Sequence, residues 1–371
     1  MRLRLLKLSK TPFDKHENFV VRYENPFNGG SPLNLLTQNH ITPTNLFFVR
    51  NHGDVPQVDV NTFRLNIQYK NKTISFTLDE IKNNFERVEI SATLQCAGNR
   101  RQELMAIKEI PHELPWNVDA ISHAVWAGIK LKDVLATISV EDEAKNLHVQ
   151  FQGLDETERL GKRFNFGGSI PFAKAMNNEV ILAYEMNGEL LPSTHGFPLR
   201  VVVPGYIGAR SVKWLNQIII SDEPSQNYFQ RTAYRLFDSN TNAENVKWDD
   251  GLMLGEMNVT SVICSPEENG RLTSGLVTVS GYAATGGNRH IARVEISCDD
   301  GKTWTQAELD KINSFTWTLW KANLNLSKGN HQLIVRAADS SANTQPKDIE
   351  QVWNFKGYMN NAWHRVSFVV E

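Results

Sequence analysis

Residues 93–101 read Thr93-Leu94-Gln95-Cys96-Ala97-Gly98-Asn99-Arg100-Arg101, one thiol followed at once by a glycine, an amide and two guanidinium groups. Nearby positive charge favours the thiolate, and two arginines offer planar forks that hold an oxyanion beside it. The same surroundings suit a soft metal bound next to an anion. The stretch alone leaves a buried inert thiol, a reactive nucleophile and a metal ligand all open.

The rest of the chain narrows the setting. Cys264 and Cys298 are the only other cysteines, and no Cys/His spacing of a structural zinc site occurs. These two are expected to be reduced thiols, with a cross-sheet disulfide as the alternative. The 371 residues are 41% hydrophobic and 22% charged with a formal net charge of -2, which points to two domains and away from nucleic acid. No apolar run approaches the ~20 residues of a membrane span, so no membrane partner is expected. The opening Met1-Arg2-Leu3-Arg4-Leu5-Leu6-Lys7-Leu8 is broken by lysine before an export signal can form, and the C-terminal Phe368-Val369-Val370-Glu371 is no peroxisomal signal. A cytoplasmic location is the expectation.

Up to about residue 240, strand-like runs such as Thr62–Ile67 and Leu147–Phe151 alternate with helix candidates at Thr77–Lys82 and Lys130–Leu135, a mixture that reads as α+β. Residues 238–250 are polar and read as a linker. Beyond them the period becomes two: Val277, Val279 and Gly281; Val294, Ile296 and Cys298; Phe315, Trp317 and Leu319; Leu333, Val335 and Ala337. Turn clusters at Thr285–Asn288, Asp299–Lys302 and Ser327–Asn330 separate these strands and predict an all-β immunoglobulin-like sandwich. The division is thus 1–240 and 241–371.

Several blocks in order carry a family resemblance. Cys96–Arg101, preceded by Phe47-Phe48-Val49-Arg50-Asn51-His52 and followed by Leu182–Gly188, His195–Gly205 and Gly208–Leu215, resembles the molybdenum-cofactor domain of the sulfite oxidase family. Gly281-Tyr282, Asp300–Trp304 and Ala362-Trp363-His364-Arg365-Val366 resemble that family's dimerisation domain. The resemblance implies a sulfite oxidase fold, a molybdenum-molybdopterin cofactor bound through its dithiolene, and Cys96 as the thiolate ligand of the metal. It also implies cofactor contacts from Phe48, Arg50, Asn51, His52, Asp155, His195, Arg200, Ser211, Val212 and Lys213. The catalytic pocket implied for a sulfite or sulfate oxyanion consists of Arg50, Arg101, Arg365, Trp116 and Tyr184.

The implied reaction is two-electron oxygen-atom transfer at a Cys-ligated oxo-molybdenum centre, converting sulfite to sulfate. No haem-type Cys-x-x-Cys-His occurs, and the likeness is to the stand-alone form without a haem domain. Oxygen or a separate carrier is expected to accept the electrons. A homodimer through the C-terminal domain is expected. The rival within the class is a molybdenum reductase of nitrate or a sulfoxide, against which Arg365 in the sulfite position counts. The rival from another class is a non-catalytic interaction protein, against which the thiol among arginines counts.

Overall fold

A computed structural model describes residues 12–140, 146–159 and 161–371. The described chain opens on an antiparallel pair, β1 (Val20–Tyr23) and β2 (Asn28–Gly30), and one helical turn, α1 (Leu33–Leu36). Next come β3 (Leu65–Tyr69), β4 (Lys72–Phe76), helix α2 (Leu78–Asn84), β5 (Arg87–Gln95) and helix α3 (Arg101–Ile107). Then follow β6 (Ile121–Lys130), helix α4 (Leu131–Leu135), β7 (His148–Arg159) and β8 (Lys162–Pro171). This half closes with β9 (Ile181–Met186), β10 (Glu189–Leu190), β11 (Arg200–Val202) and β12 (Leu215–Ser221).

These strands make two sheets. One runs β4-β3-β12-β7-β8; the other runs β10-β9-β6-β5, with β11 also paired to β9. Leu65, Ile67 and Tyr69 of β3 are buried and alternate with half-buried Asn66 and Gln68, the period-2 signature of a strand with one face in the core. Ile67, Phe151, Leu182, Val201 and Ile218 share that core. Helix α2 begins where the sequence prescribes. The Glu80 amide donates to Thr77 Oγ1 at 3.1 Å and the Thr77 amide donates to the Glu80 carboxylate at 2.8 Å, a capping box that contributes roughly 1 kcal/mol.

A short pair, β13 (Arg235–Leu236) and β14 (Leu252–Met253), brackets the largely exposed polar segment 238–250. Beyond it two sheets stack. The first contains β15 (Thr260–Ser265), β17 (Gly275–Ala284), β20 (Glu308–Leu309) and β21 (Thr318–Leu326). The second contains β16 (Arg271–Leu272), β18 (Ile291–Ser297), β19 (Thr305–Gln306), β22 (Gly329–Asp339) and β23 (His364–Val370). Val279, Val294, Ile296, Leu333 and Val335 meet between them, as the alternation predicts.

One predicted face is displaced. Strand β21 starts at Thr318 and turns Trp320, Ala322, Leu324 and Leu326 inward, while Phe315 and Leu319 are only half-buried. Trp317 is buried, but against Tyr282 and Val118 in a separate cluster, so its burial mimicked the sandwich period. Cys264 is buried, Cys298 lies exposed just past β18, and both are free thiols. Among the described residues no helix is long and apolar enough to cross a membrane.

Candidate active site

Strand β5 ends at Gln95, and the chain leaves the sheet at Cys96, whose amide donates to Ala120 O at 2.9 Å. The Gly98 amide points back at Cys96 Sγ at 3.4 Å, so the loop itself orients the sulfur. Across from it, the turn at Gly208 comes so near that a Cβ there would sit 3.1 Å from Gln95 O. Arg100 takes left-handed φ of 67° and aims Arg101 into the first turn of α3. Cys96 thereby lines a cleft.

The walls come from three further segments. Residues 47–52 contribute Phe48, Arg50, Asn51 and His52; the bulged part of β7 contributes Asp155; residues 195–213 contribute His195, Arg200, Ser211 and Lys213. Arg200 donates to His195 O at 3.0 Å and to Ser211 O at 2.9 Å, with its guanidinium over the Trp126 ring. Lys213 donates to Asn51 Oδ1 and to Thr194 O, tying two walls together. The Lys15 ammonium reaches His195 Nε2 at 2.9 Å, Thr44 O at 3.1 Å and Phe47 O at 3.0 Å, which fixes the imidazole.

Cationic side chains outnumber carboxyls in the cleft, where Asp155 faces Arg50, Arg200 and Lys213 among the lining residues. Among the described residues no carboxylate lies within ion-pair distance of Arg50, Arg200 or Lys213. Burial, and after it Arg200, holds the Lys213 ammonium well below the ordinary lysine range. Burial lowers Lys15 to about 7 and Arg200 to about 9. His52 and His195 are held well below the usual histidine range, first by burial and then by Arg50 and Lys15 respectively, so both imidazoles stay neutral. Burial pushes Asp155 up to about 7. An anion entering this cleft relieves cation repulsion that Asp155 offsets only in part.

A single cleft therefore gathers Phe48, Arg50, Asn51, His52, Cys96, Asp155, His195, Arg200, Ser211 and Lys213. Val212 differs from its neighbours: it alternates away from the cleft and its side chain sits in the core, 1% exposed. Arg101 is buried behind the Cys96 loop. Its guanidinium packs against Gly98 and donates to Lys356 O, Gly357 O and Leu114 O, with the Glu113 carboxylate at 3.6 Å. Gly357, at φ of 62°, is required there because a Cβ would meet Arg101 Cγ at 2.6 Å. Trp116 is fully buried and its indole N–H lacks a hydrogen-bond partner in the structure.

Tyr184 and Arg365 are placed elsewhere. On β9, Tyr184 faces away from the cleft, with Lys82 Nζ 5.2 Å from its ring centroid. Arg365 lies on β23, donates to Lys347 O and Trp363 O, and stands on the outer face of the sandwich. Two residues that the sequence did not single out stand nearby, Tyr234 in the cleft and Lys356 in the cavity beside it. Tyr234 lines the cleft, shares a 2.8 Å hydrogen bond with His52 Nε2, and stacks on Tyr358. Lys356 pairs with Glu113 at 2.5 Å and lines a wider vestibule that shares Arg50, Asn51 and His52 with the cleft. No local pattern marks Tyr234 or Lys356, which reach the site from distant segments.

The residues fit a molybdopterin-type group. Among the described residues, Asp155 Oδ1 and Arg200 Nε, on two residues that line the cleft, are buried without hydrogen-bond partners, so an acceptor and a donor stand unused there. A polar heterocycle with an anionic tail would satisfy them, and the Cys96 sulfur supplies the soft ligand a dithiolene-bound metal takes.

Comparison with known proteins agrees with that donor set. Residues 52–229 match the oxidoreductase molybdopterin binding domain, and residues 252–371 match the Mo-co oxidoreductase dimerisation domain. The chain is 42% identical to the mitochondrial sulfite oxidase of Homo sapiens, over 96% of this chain and 66% of that protein. It is 38% identical to the sulfite oxidase of Arabidopsis thaliana, over 95% and 94%, and 36% identical to the NAD(P)H nitrate reductase of Hordeum vulgare, over 94% and 41%. The chain thus spans slightly under two thirds of the human relative. Among solved structures, the sulfane dehydrogenase SoxCD of Paracoccus pantotrophus superposes with a TM-score of 0.78 at 25% identity, covering 100% of this chain and 90% of that one. The chain belongs to the sulfite oxidase family of molybdopterin-dependent oxidoreductases.

Proposed function

We propose that this chain oxidises sulfite to sulfate at a molybdenum centre held by Cys96. The observation that carries the reading is a buried thiol lining a cleft where Arg50, Arg200 and Lys213 lack paired carboxylates. Cys96 would hold the metal, while His195, Arg200, Ser211, Lys213 and Asp155 would hold the pterin and its phosphate. When bound, that cofactor supplies two-electron oxygen-atom transfer. The chain's own residues bind and orient the substrate. Arg50 reaches the cleft from its shared edge with the vestibule, where its fork receives two oxygens of a dianion. Tyr234 keeps its proton, because burial raises its pKa, and its hydroxyl is held by neutral His52 at a position suited to proton delivery.

Lys356 takes the role first expected of Arg365, as a cation that shares the vestibule with Arg50. Arg365 consequently carries no discrimination between sulfite and nitrate. The choice of sulfite rests on the oxyanion-binding cleft and on likeness to sulfite oxidases along most of the chain. Reduction of nitrate is the second reading, favoured by the similarity to the barley nitrate reductase. The proposed division is a cofactor-binding portion at 1–240 and a dimerisation portion at 241–371, giving a homodimer. A separate carrier or oxygen takes the electrons. Residence in the cytoplasm rests on the three free thiols.

The test is turnover of sulfite and nitrate by the molybdenum-loaded protein with artificial acceptors and donors. Sulfite turnover is expected to fall at least about tenfold in Tyr234→Phe and in Lys356→Met, the scale of a lost proton donor or anion contact. Tyr184→Phe and Arg365→Gln are expected to stay within about twofold, as for groups away from the chemistry. Nitrate reduction without sulfite oxidation would replace the main reading by the second.

A further inference from the structure

The vestibule above the cleft carries a guanidinium that the reading so far does not use. Arg159 ends β7, at the tip of the β7–β8 hairpin where it pairs with Lys162. Its Nη1 donates to Thr157 Oγ1 at 3.3 Å and to Glu158 O at 2.7 Å; among the described residues its Nε and Nη2 make no hydrogen bond and no carboxylate lies within ion-pair distance. The neighbouring carboxylate, Glu158, is turned to Arg163 at 3.3 Å. Alternation along the strand sends Glu158 and Arg159 to opposite faces, so the hairpin presents cation alone to the vestibule.

Three observations place this group in the substrate's path. Arg159 and Arg50 line the same cavity, and Arg50 also lines the cleft that holds Cys96. Arg159 is half-buried with its guanidinium over the Phe229 ring at 5.9 Å, which restricts the side chain. Thr157, its hydrogen-bond partner, donates in turn to His52 O at 3.1 Å, coupling the hairpin to the cleft wall. Both Arg159 and Arg50 act electrostatically on His52, which agrees with the two cations flanking one passage. The vestibule also holds Lys356, paired with Glu113, and Lys108, together with the carboxylates Glu109 and Glu244.

We propose that Arg159 forms an entry subsite for small tetrahedral or pyramidal oxyanions of the sulfite and sulfate class, which bind there before passing to Arg50. This rests on the reading of the cleft as a sulfite site. The subsite raises the local concentration of dianion at the mouth and releases it inward, so it acts on capture and not on the chemical step. Its strength falls with salt, because the vestibule is open to solvent and a screening length of about 8–10 Å applies.

The experiment compares the molybdenum-loaded wild type with Arg159→Gln and Arg159→Lys. KM for sulfite is expected to rise about fivefold in Arg159→Gln at low ionic strength while kcat stays within about twofold, the pattern of a steering charge. The salt dependence of kcat/KM should flatten in Arg159→Gln and return in Arg159→Lys. Sulfate binding, followed by intrinsic tryptophan fluorescence without turnover, should weaken in parallel. Unchanged KM and sulfate affinity in Arg159→Gln would overturn the subsite, as would an equal loss of kcat in both variants, which marks a structural role. Absence of sulfite oxidation by the wild type would instead overturn the sulfite reading, with the sulfate titration still judging the subsite.

Discussion

Cys96→Ser is expected to empty the protein of molybdenum and abolish sulfite turnover while leaving it folded. The side chain is 5% exposed and close in size to serine, so the packing change is small and stability should shift by no more than about 1 kcal/mol. The chemistry changes far more. A serine hydroxyl is hard, poorly ionised and unsuited to a metal already bound to sulfur, whereas the thiolate is soft. Losing a mere outer partner of a metal site costs about 10–100-fold, so loss of the ligand should exceed ~100-fold in turnover. Metal analysis together with a thermal unfolding scan decides the matter. Full molybdenum content with wild-type turnover in the variant would remove Cys96 from the centre of the site.

Arg100→Met is expected to destabilise the protein by about 3–5 kcal/mol, the cost of breaking a buried ion pair from one side. Arg100 is fully buried, and its guanidinium grips the Glu103 carboxylate through two 2.7 Å hydrogen bonds. Its remaining nitrogen donates to Ala362 O at 2.8 Å, while Asn360 Nδ2 returns a hydrogen bond to Arg100 O at 3.0 Å. His364, lowered to about 4 chiefly by burial, is neutral beside Glu103 while Arg100 is present. The substitution therefore strands a carboxylate and a carbonyl and loosens the strap 354–364 from the Cys96 loop. Chemical denaturation measures the loss, and the double variant with Glu103→Gln should recover part of it by removing the stranded charge. A change below about 1 kcal/mol in Arg100→Met would show that the network contributes little.

Cys96, Asp155, His195, Arg200 and Lys213 stand in blocks whose order and spacing resemble the family, and they converge in one cleft. Two expected site residues, Tyr184 and Arg365, stand apart from that cleft. Tyr184 lies on a central strand with no turn to bring it forward, and Arg365 alternates outward on β23, next to buried His364. Tyr234 follows a single helical turn at Tyr228–Arg231, and Lys356 lies before the positive-φ Gly357. Neither has a periodic signal of its own.

By itself the sequence determined what short-range chemistry controls: the α+β half, the period-2 sandwich, the α2 cap and the thiol set among arginines. These depend on side-chain alternation and capping within a few residues, which any copy of the segment would carry. Only the tertiary structure decided which tyrosine meets His52, which cations share a cavity with Arg50, and that Arg101 is spent on the carbonyls of a strap more than 250 residues away. Those contacts are set by how two sheets and a sandwich pack, a non-local property that no window of the chain encodes.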